Sequence, residues 1–270
     1  MPTTPVSTSP SMERVASAVG TTVSYEKTGS GPALVLAHGS FSDHHTNWEF
    51  VKSRLTERFT MYAIARRGRG QTPATVGHSV EDEAADVAAV IRAAGEPVFL
   101  LGHSYGAHCA LAAALQATGL VRKLVLYEPP WPGTMTDAVR TRLEGLASSA
   151  AWDDFAMTFF RDGLFVPVAE LDALRATDLW PPIIADANAS SGDVAALSRY
   201  RFEPERFRGL EIPVLLQVGS VSPRHLFVTD ALAAVLPDVR VQELPGQAHE
   251  GMTTAPDMYV EAVTEFLVGR

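Results

Sequence analysis

Gly102-His103-Ser104-Tyr105-Gly106 is the stretch that most restricts how this chain can fold. Before it, Pro97-Val98-Phe99-Leu100-Leu101 is continuously apolar and reads as a fully buried strand. After it, residues 107–117 read as an Ala-rich helix. Strand, then G-x-S-x-G, then helix is the context in which the central serine sits on a sharp turn, its hydroxyl raised above a sheet. The two glycines carry no Cβ, so neighbouring backbone can approach the turn closely. The helix N-terminus behind the serine favours negative charge. Ser104 is therefore the candidate nucleophile, against the plainer reading of a serine in a buried turn.

The flanking segments extend this pattern. Two short strands are expected at 15–19 and 22–26, with Gly20 at their turn. The run 33–37 is another apolar strand, ending in His38-Gly39 and a polar loop to Trp48, and a helix then reaches about residue 58. Residues 59–65 form the next strand. A capping-box pattern at Ser79 opens a helix to residue 94, and 121–127 is a further strand. Strands alternating with helices over short links predict a mostly parallel central sheet with helices on both faces. Active sites in such sheets lie at the C-terminal ends of strands. The loops after Ala37, Ala65, Leu101 and Tyr127 are thus the places to search.

The alternation stops after Pro129-Pro130. Helical segments are expected at 135–149, 152–162, 168–177 and 183–200, with no strand among them. Strands at 213–219 and 239–244 and helices at 225–236 and 256–268 then resume it. The predicted organisation is a disordered lead-in (1–11), a core domain (12–130), an all-helical cap (131–208) and the rest of the core (209–270).

Of the 270 residues, 46% are hydrophobic and 20% charged, enough apolar mass for a sizeable core. The net charge of −9, from 22 basic and 31 acidic residues, argues against a nucleic-acid partner or charge-based retention on anionic lipid. No stretch approaches the length of a membrane span. Residues 1–11 lack the basic start and apolar centre of a signal peptide, so a cytoplasmic location is expected. The single cysteine, Cys109, cannot build an internal disulfide and reads as a small core residue. A small molecule is the expected partner, with no nucleic acid and no membrane; the oligomeric state is left open. No cofactor and no metal are expected, since the adjacent His44 and His45 lack a carboxylate-rich surround.

A nucleophilic serine needs a base, an orienting acid and an oxyanion hole. His249, in the loop after the strand 239–244, is the candidate base. Among the other histidines, His38 reads as a brace of its turn, His103 as packed, and His78 and His225 as surface residues. The backbone N–H groups of Tyr105 and Ser40 are the candidate oxyanion donors, with Phe41 as the runner-up for the second.

Together, His38-Gly39, Arg67-Gly68-Arg69-Gly70, the serine turn, the helical insertion and the late histidine resemble the α/β-hydrolase superfamily over nearly the whole chain. The chain order, serine early and histidine last, fits that family. The resemblance implies an α/β-hydrolase fold and a serine hydrolase of the esterase or lactonase type. In that family the acid commonly follows the strand that here ends at Gly219. This chain reads Gly219-Ser220-Val221-Ser222-Pro223, without a carboxylate. Glu128, at the end of the strand beside the serine strand, is the replacement. Members that open the macrocyclic lactone zearalenone are similar in using a glutamate at this strand end. Asp43 is a rival on the oxyanion-loop side, and Glu250 adjoins His249 too closely to orient it.

Two further departures stand out. Ala65 occupies a position where members often carry aspartate. Arg66-Arg67-Gly68-Arg69 has a phosphate-binding look but lacks P-loop spacing, and reads as a structural turn. Cap aromatics, above all Trp131 and Trp180, together with Phe41 suggest an apolar substrate chamber. The expected activity is hydrolysis of a carboxylic ester or lactone, bulky and apolar, through an acyl-enzyme on Ser104. The alternatives are a lyase or cofactor-free oxygenase using the same Ser/His pair, or a receptor-like ligand binder.

Overall fold

A computed structural model describes residues 10–269. In chain order, the first half contains β1 (Ser11–Ala16), β2 (Thr22–Gly29), β3 (Ala33–Ala37), α1 (Glu49–Thr56), β4 (Thr60–Ala65), α2 (Val80–Ala93), β5 (Val98–His103), α3 (Tyr105–Gln116) and β6 (Val121–Tyr127). The second half contains α4 (Asp137–Ser148), α5 (Trp152–Thr158), α6 (Val168–Arg175), α7 (Trp180–Arg199), β7 (Val214–Gly219), α8 (Thr229–Ala233), β8 (Val239–Leu244), α9 (Gly251–Thr254) and α10 (Pro256–Val268). The eight strands form one sheet in the order β1-β2-β4-β3-β5-β6-β7-β8. β1 and β2 are antiparallel additions at one edge; from β4 onward every pairing is parallel. This is the α/β-hydrolase fold.

The central strands are apolar throughout because both faces of the sheet are covered. Period-2 alternation sends Leu34, Leu36, Phe99, Leu101 and Val125 to one face, against Trp48, Leu55, Tyr259 and Val263 of the α1/α10 layer. Val35, Leu100, Leu124 and Leu126 go to the other, against Ala84, Val87, Ala110 and Ala113 of α2 and α3. Truncating a fully buried leucine such as Leu100 to alanine in such a core costs ~2–5 kcal/mol. Between β6 and β7 the described residues form α4 to α7 and no strand, with a separate core around Leu143, Phe155 and Trp180. No helix among the described residues is long and apolar enough to cross a membrane.

Three boundaries differ from expectation. β1 starts at Ser11 because a wide turn, closed by Ser17 N–H to Thr21 O at 2.7 Å and by Gly20 at φ 83°, takes residues 17–21. Ser11 therefore belongs to a strand, and residues 1–9 of the expected lead-in lie outside the described residues. α7 begins at Trp180 and takes both prolines into its first turn, where a missing N–H leaves no bond unmade. The expected helix at 225–236 is interrupted because Phe227 turns extended and forms a bridge with Pro130, leaving only α8.

Candidate active site

β5 runs into a sharp turn at Ser104, which takes φ 55° and ψ −125° before α3 begins. A side chain held in this region costs ~1–3 kcal/mol and needs surroundings that enforce it. Both flanking glycines permit the packing that does so. A Cβ on Gly106 would lie 2.2 Å from the His38 carbonyl oxygen, and one on Gly102 would lie 2.6 Å from Ala107 Cα. The first turn of α3 thereby rests on the end of β3. Tyr105, the first residue of α3, has no intrahelical acceptor for its N–H. Phe41 (φ 58°) and Glu128 (φ 47°) share this strained region. Three of the five non-glycine residues with positive φ among the described residues thus fall in the loops after β3, β5 and β6.

Glu128 follows β6 directly, its N–H bonded to Gln217 O at 3.1 Å. Its carboxylate is fully buried; Oε1 accepts the Gly219 N–H at 2.7 Å and Oε2 lies 2.6 Å from His249 Nδ1. A carboxylate entering from β6 thus crosses the end of β7 to meet a histidine on the loop after β8. Gly219 is tied to this crossing, because a Cβ there would lie 2.2 Å from Gln247 O. Asp43 is engaged elsewhere. Its Oδ1 accepts the N–H groups of His45 and Thr46, each at 2.8 Å. Burial would raise its pKa, but these donors outweigh burial and hold it below the usual aspartate value.

The His249 loop is braced on several sides. Phe227 stacks on the imidazole at 5.4 Å and 13°, and His103 Nε2 lies 3.0 Å from His249 O. The Tyr127 hydroxyl donates to Ala248 O and accepts the Gly251 N–H. Burial disfavours the imidazolium of His249, but Glu128 outweighs it, so its pKa sits above that of an ordinary histidine. His103 is pushed the other way by burial and by the nearby His249.

Ser40, Ser104, Tyr105, Trp131 and His249 line one cavity of about 50 Å³, roofed mostly by apolar side chains such as Phe159, Leu164, Val194 and Leu197. The structure does not bring Phe41 or Trp180 to it. Phe41 packs against Phe155, Phe159 and Phe160, and its N–H is taken by Ser190 Oγ at 2.6 Å. Trp180 is buried in the same cluster, with Nε1 bonded to Asp153 Oδ1 at 2.7 Å. Both rings pack into the separate core of the α4–α7 segment instead.

His78 is also relocated. It is buried, 3.0 Å from Glu83 Oε1, within a charged cluster that includes Arg66, Arg69 and Asp193. Arg67 pairs with Asp86 at 2.7 Å, so the basic run is neutralised internally. Ala65 lies under Gly70, 2.8 Å from where a Cβ there would be, and does not line the cavity.

Two groups of donors among the described residues are close enough to hold an ion. One is His103, His249 and Glu250, where both His103 nitrogens already face Asn47 Oδ1 and His249 O. The other is His78, Glu83 and Asp193, whose charge Arg66 and Arg69 balance. The sequence reading missed Gly219, Tyr127, Phe227, Ser190 and Asp193. Ser190 and Asp193 are two of several polar residues on α7, and only their partners in the fold set them apart.

The model of the alpha/beta hydrolase family matches residues 34–262, and the chain belongs to that family. It is 30% identical over 261 residues to the 2-(acetamidomethylene)succinate hydrolase of Mesorhizobium japonicum, covering 91% of each chain. It is 37% identical over 116 residues to a pimeloyl-[acyl-carrier protein] methyl ester esterase of Methylococcus capsulatus, covering 40% of this chain and 44% of that one. An alpha/beta hydrolase from Sphaerobacter thermophilus superposes with a TM-score of 0.83 at 31% identity, covering 95% of this chain and 100% of that one.

Proposed function

We propose that this protein is a serine hydrolase that cleaves a carboxylic ester or lactone through an acyl-enzyme on Ser104. As Ser104 Oγ attacks the carbonyl carbon, its proton passes to His249 Nε2. The carbonyl oxygen becomes an oxyanion facing the N–H groups of Ser40 and Tyr105. His249 then gives the proton to the departing alkoxide oxygen and the ester C–O bond breaks. Water attacks the acyl group and loses a proton to His249, which passes it to Ser104 Oγ as the acyl C–Oγ bond breaks and the acid leaves. Glu128 accepts Nδ1–H throughout and stabilises the imidazolium.

The observation that carries this reading is the 2.6 Å contact from a fully buried Glu128 to His249, on the same cavity as Ser104. Substrate size follows from the space available. A cavity of about 50 Å³ is far below the ~300–1,000 Å³ of sites that enclose drug-sized ligands. A short acyl group fits as the site stands, and a bulky apolar lactone requires the cap to lift.

A second reading, in which the scissile bond is an amide, is favoured by the full-length relative named for a substrate with an acetamido group. The test is turnover of short-chain p-nitrophenyl esters beside the matching p-nitroanilides, with Ser104→Ala as control. Ester turnover that Ser104→Ala abolishes is expected. Anilide turnover alone moves the assignment to the amide reading. Turnover that survives in Ser104→Ala overturns both.

A further inference from the structure

We propose that Ser190 and Asp193, on the cap helix α7, are positioning residues that aim the Ser40 N–H into the oxyanion hole, so that the hole is complete only while α7 is seated. The proposal rests on the reading of Ser40 and Tyr105 as oxyanion donors.

The argument starts from the two peptide planes that flank Ser40. A trans peptide is planar, with its N–H opposed to its C=O, so fixing one fixes the other. The Gly39 carbonyl oxygen faces Arg66 Nη2 at 2.9 Å and His38 Nδ1 at 2.7 Å. That holds the Ser40 N–H on the opposite side of the plane. In the next plane, the Phe41 N–H donates to Ser190 Oγ at 2.6 Å, which fixes the peptide on the other side of Ser40. The Ser40 hydroxyl is also held, donating to Asp193 Oδ2 at 2.8 Å.

The anchors of both planes lead to one helix face. Asp186, Ser190 and Asp193 stand at i, i+4 and i+7, a single stripe. Ser190 and Asp193 are fully buried. Asp193 receives Arg66 at 2.7 and 3.1 Å, which orients the guanidinium that binds Gly39 O and, through Nε, His38 O at 2.9 Å. Arg69 joins all three stripe residues, reaching Asp186 at 2.8 Å, Ser190 Oγ at 3.1 Å and Asp193 at 2.8 Å. The left-handed φ of Phe41, 58°, is the kind of strained backbone that persists only where its surroundings enforce it. The basic turn after β4 thus connects the cap to the loop that follows β3.

The experiment compares hydrolysis of p-nitrophenyl acetate with that of its thiono analogue, whose sulfur is a poor acceptor in an oxyanion hole. Wild type, Ser190→Ala and Asp193→Asn are assayed, with Leu171→Ala as a variant that loosens the cap at α6, outside the cluster that holds Phe41. The expected result is a loss of ~10–10²-fold in kcat on the oxoester, below the ~10²–10³-fold cost of removing a donor outright. KM and the thionoester rate should stay within about threefold, so the oxo/thiono ratio collapses. Leu171→Ala should lower both rates together.

Ser190→Ala removes one hydroxyl, and it decides the matter if Asp193→Asn does not fold. Equal loss on both substrates in Ser190→Ala, or no loss, overturns the proposal. If wild type itself shows no preference for the oxoester while Ser104 still reacts with a fluorophosphonate, the donor assignment fails and the proposal with it. If Ser104 does not react, the serine-hydrolase reading has failed first.

Discussion

In a Glu128→Gln variant the carboxamide cannot satisfy both of its present partners. Gly219 N–H needs an acceptor at the position of Oε1, and His249 Nδ1 faces Oε2 at 2.6 Å. If the amide oxygen serves Gly219, the NH2 group faces Nδ1 and forces the imidazole proton onto Nε2. In the proposed mechanism that is the nitrogen that takes the proton from Ser104. If the amide turns round, two N–H donors oppose each other in a fully buried place, at a cost of ~1–3 kcal/mol. In both arrangements the imidazolium loses its anion.

By analogy with the best-studied Ser-His-Asp triad, the expected loss in kcat is ~10⁴-fold, or about 5 kcal/mol on the barrier. KM for p-nitrophenyl acetate should hardly change, because Glu128 does not line the cavity. The pH profile gives an independent sign. As the proposed base, His249 must be neutral, so activity is expected to rise as pH passes its pKa. Glu128 raises that pKa against the opposing effect of burial, so the variant's acid limb moves to lower pH while its plateau falls. A variant within about tenfold of wild type, with the limb unmoved, would refute the assignment.

Gly219→Ala is expected to displace the 247–249 loop, since its Cβ would sit 2.2 Å from Gln247 O. Steady-state kinetics should then show kcat reduced at least tenfold, and unchanged kcat would contradict the crossing geometry. Asp43→Asn keeps an acceptor for the Thr46 and His45 N–H groups, so turnover within about threefold of wild type is expected. A collapse comparable to Glu128→Gln would return Asp43 to contention as the acid.

Stability should also depend on pH through His78. Burial opposes its charge, but the carboxylates of Asp193 and Glu83 beside it outweigh that and push its pKa up to about 10. Its unfolded value is ~6.5. Because the folded pKa is the higher, the contribution is complete below ~6.5 and is lost as pH rises through about 10, with an upper size of ~5 kcal/mol. The denaturation midpoint should decline across that window in wild type and much less in His78→Gln, with Arg66 and Arg69 still facing Glu83 and Asp193. A flat wild-type curve would refute this.

Much of the fold was legible because local signals and tertiary demands agree. The runs around β3 and β5 are apolar in a way only strands buried on both faces require, and the Gly102–Gly106 turn fits one backbone path. Glu128 could be singled out because no carboxylate follows Gly219, although the sequence could not show the β7-end N–H that holds it. Legibility failed where long-range packing decided. Trp180 and Phe41 look like substrate-facing aromatics in the sequence, yet each packs into the apolar core of the α4–α7 segment. His78 resembles a surface residue until α2 and α7 close around it with two carboxylates. Ser190 is 149 residues away from the N–H it holds, a separation no local pattern reveals.

The most direct measurement is stoichiometric reaction with a fluorophosphonate, followed by intact-mass and peptide mapping of wild type and Ser104→Ala. The account predicts one adduct per chain, on the peptide containing Ser104, formed in step with loss of esterase activity and absent from the variant. An active enzyme that stays unlabelled at Ser104, or a Ser104→Ala variant that keeps its turnover, would contradict it.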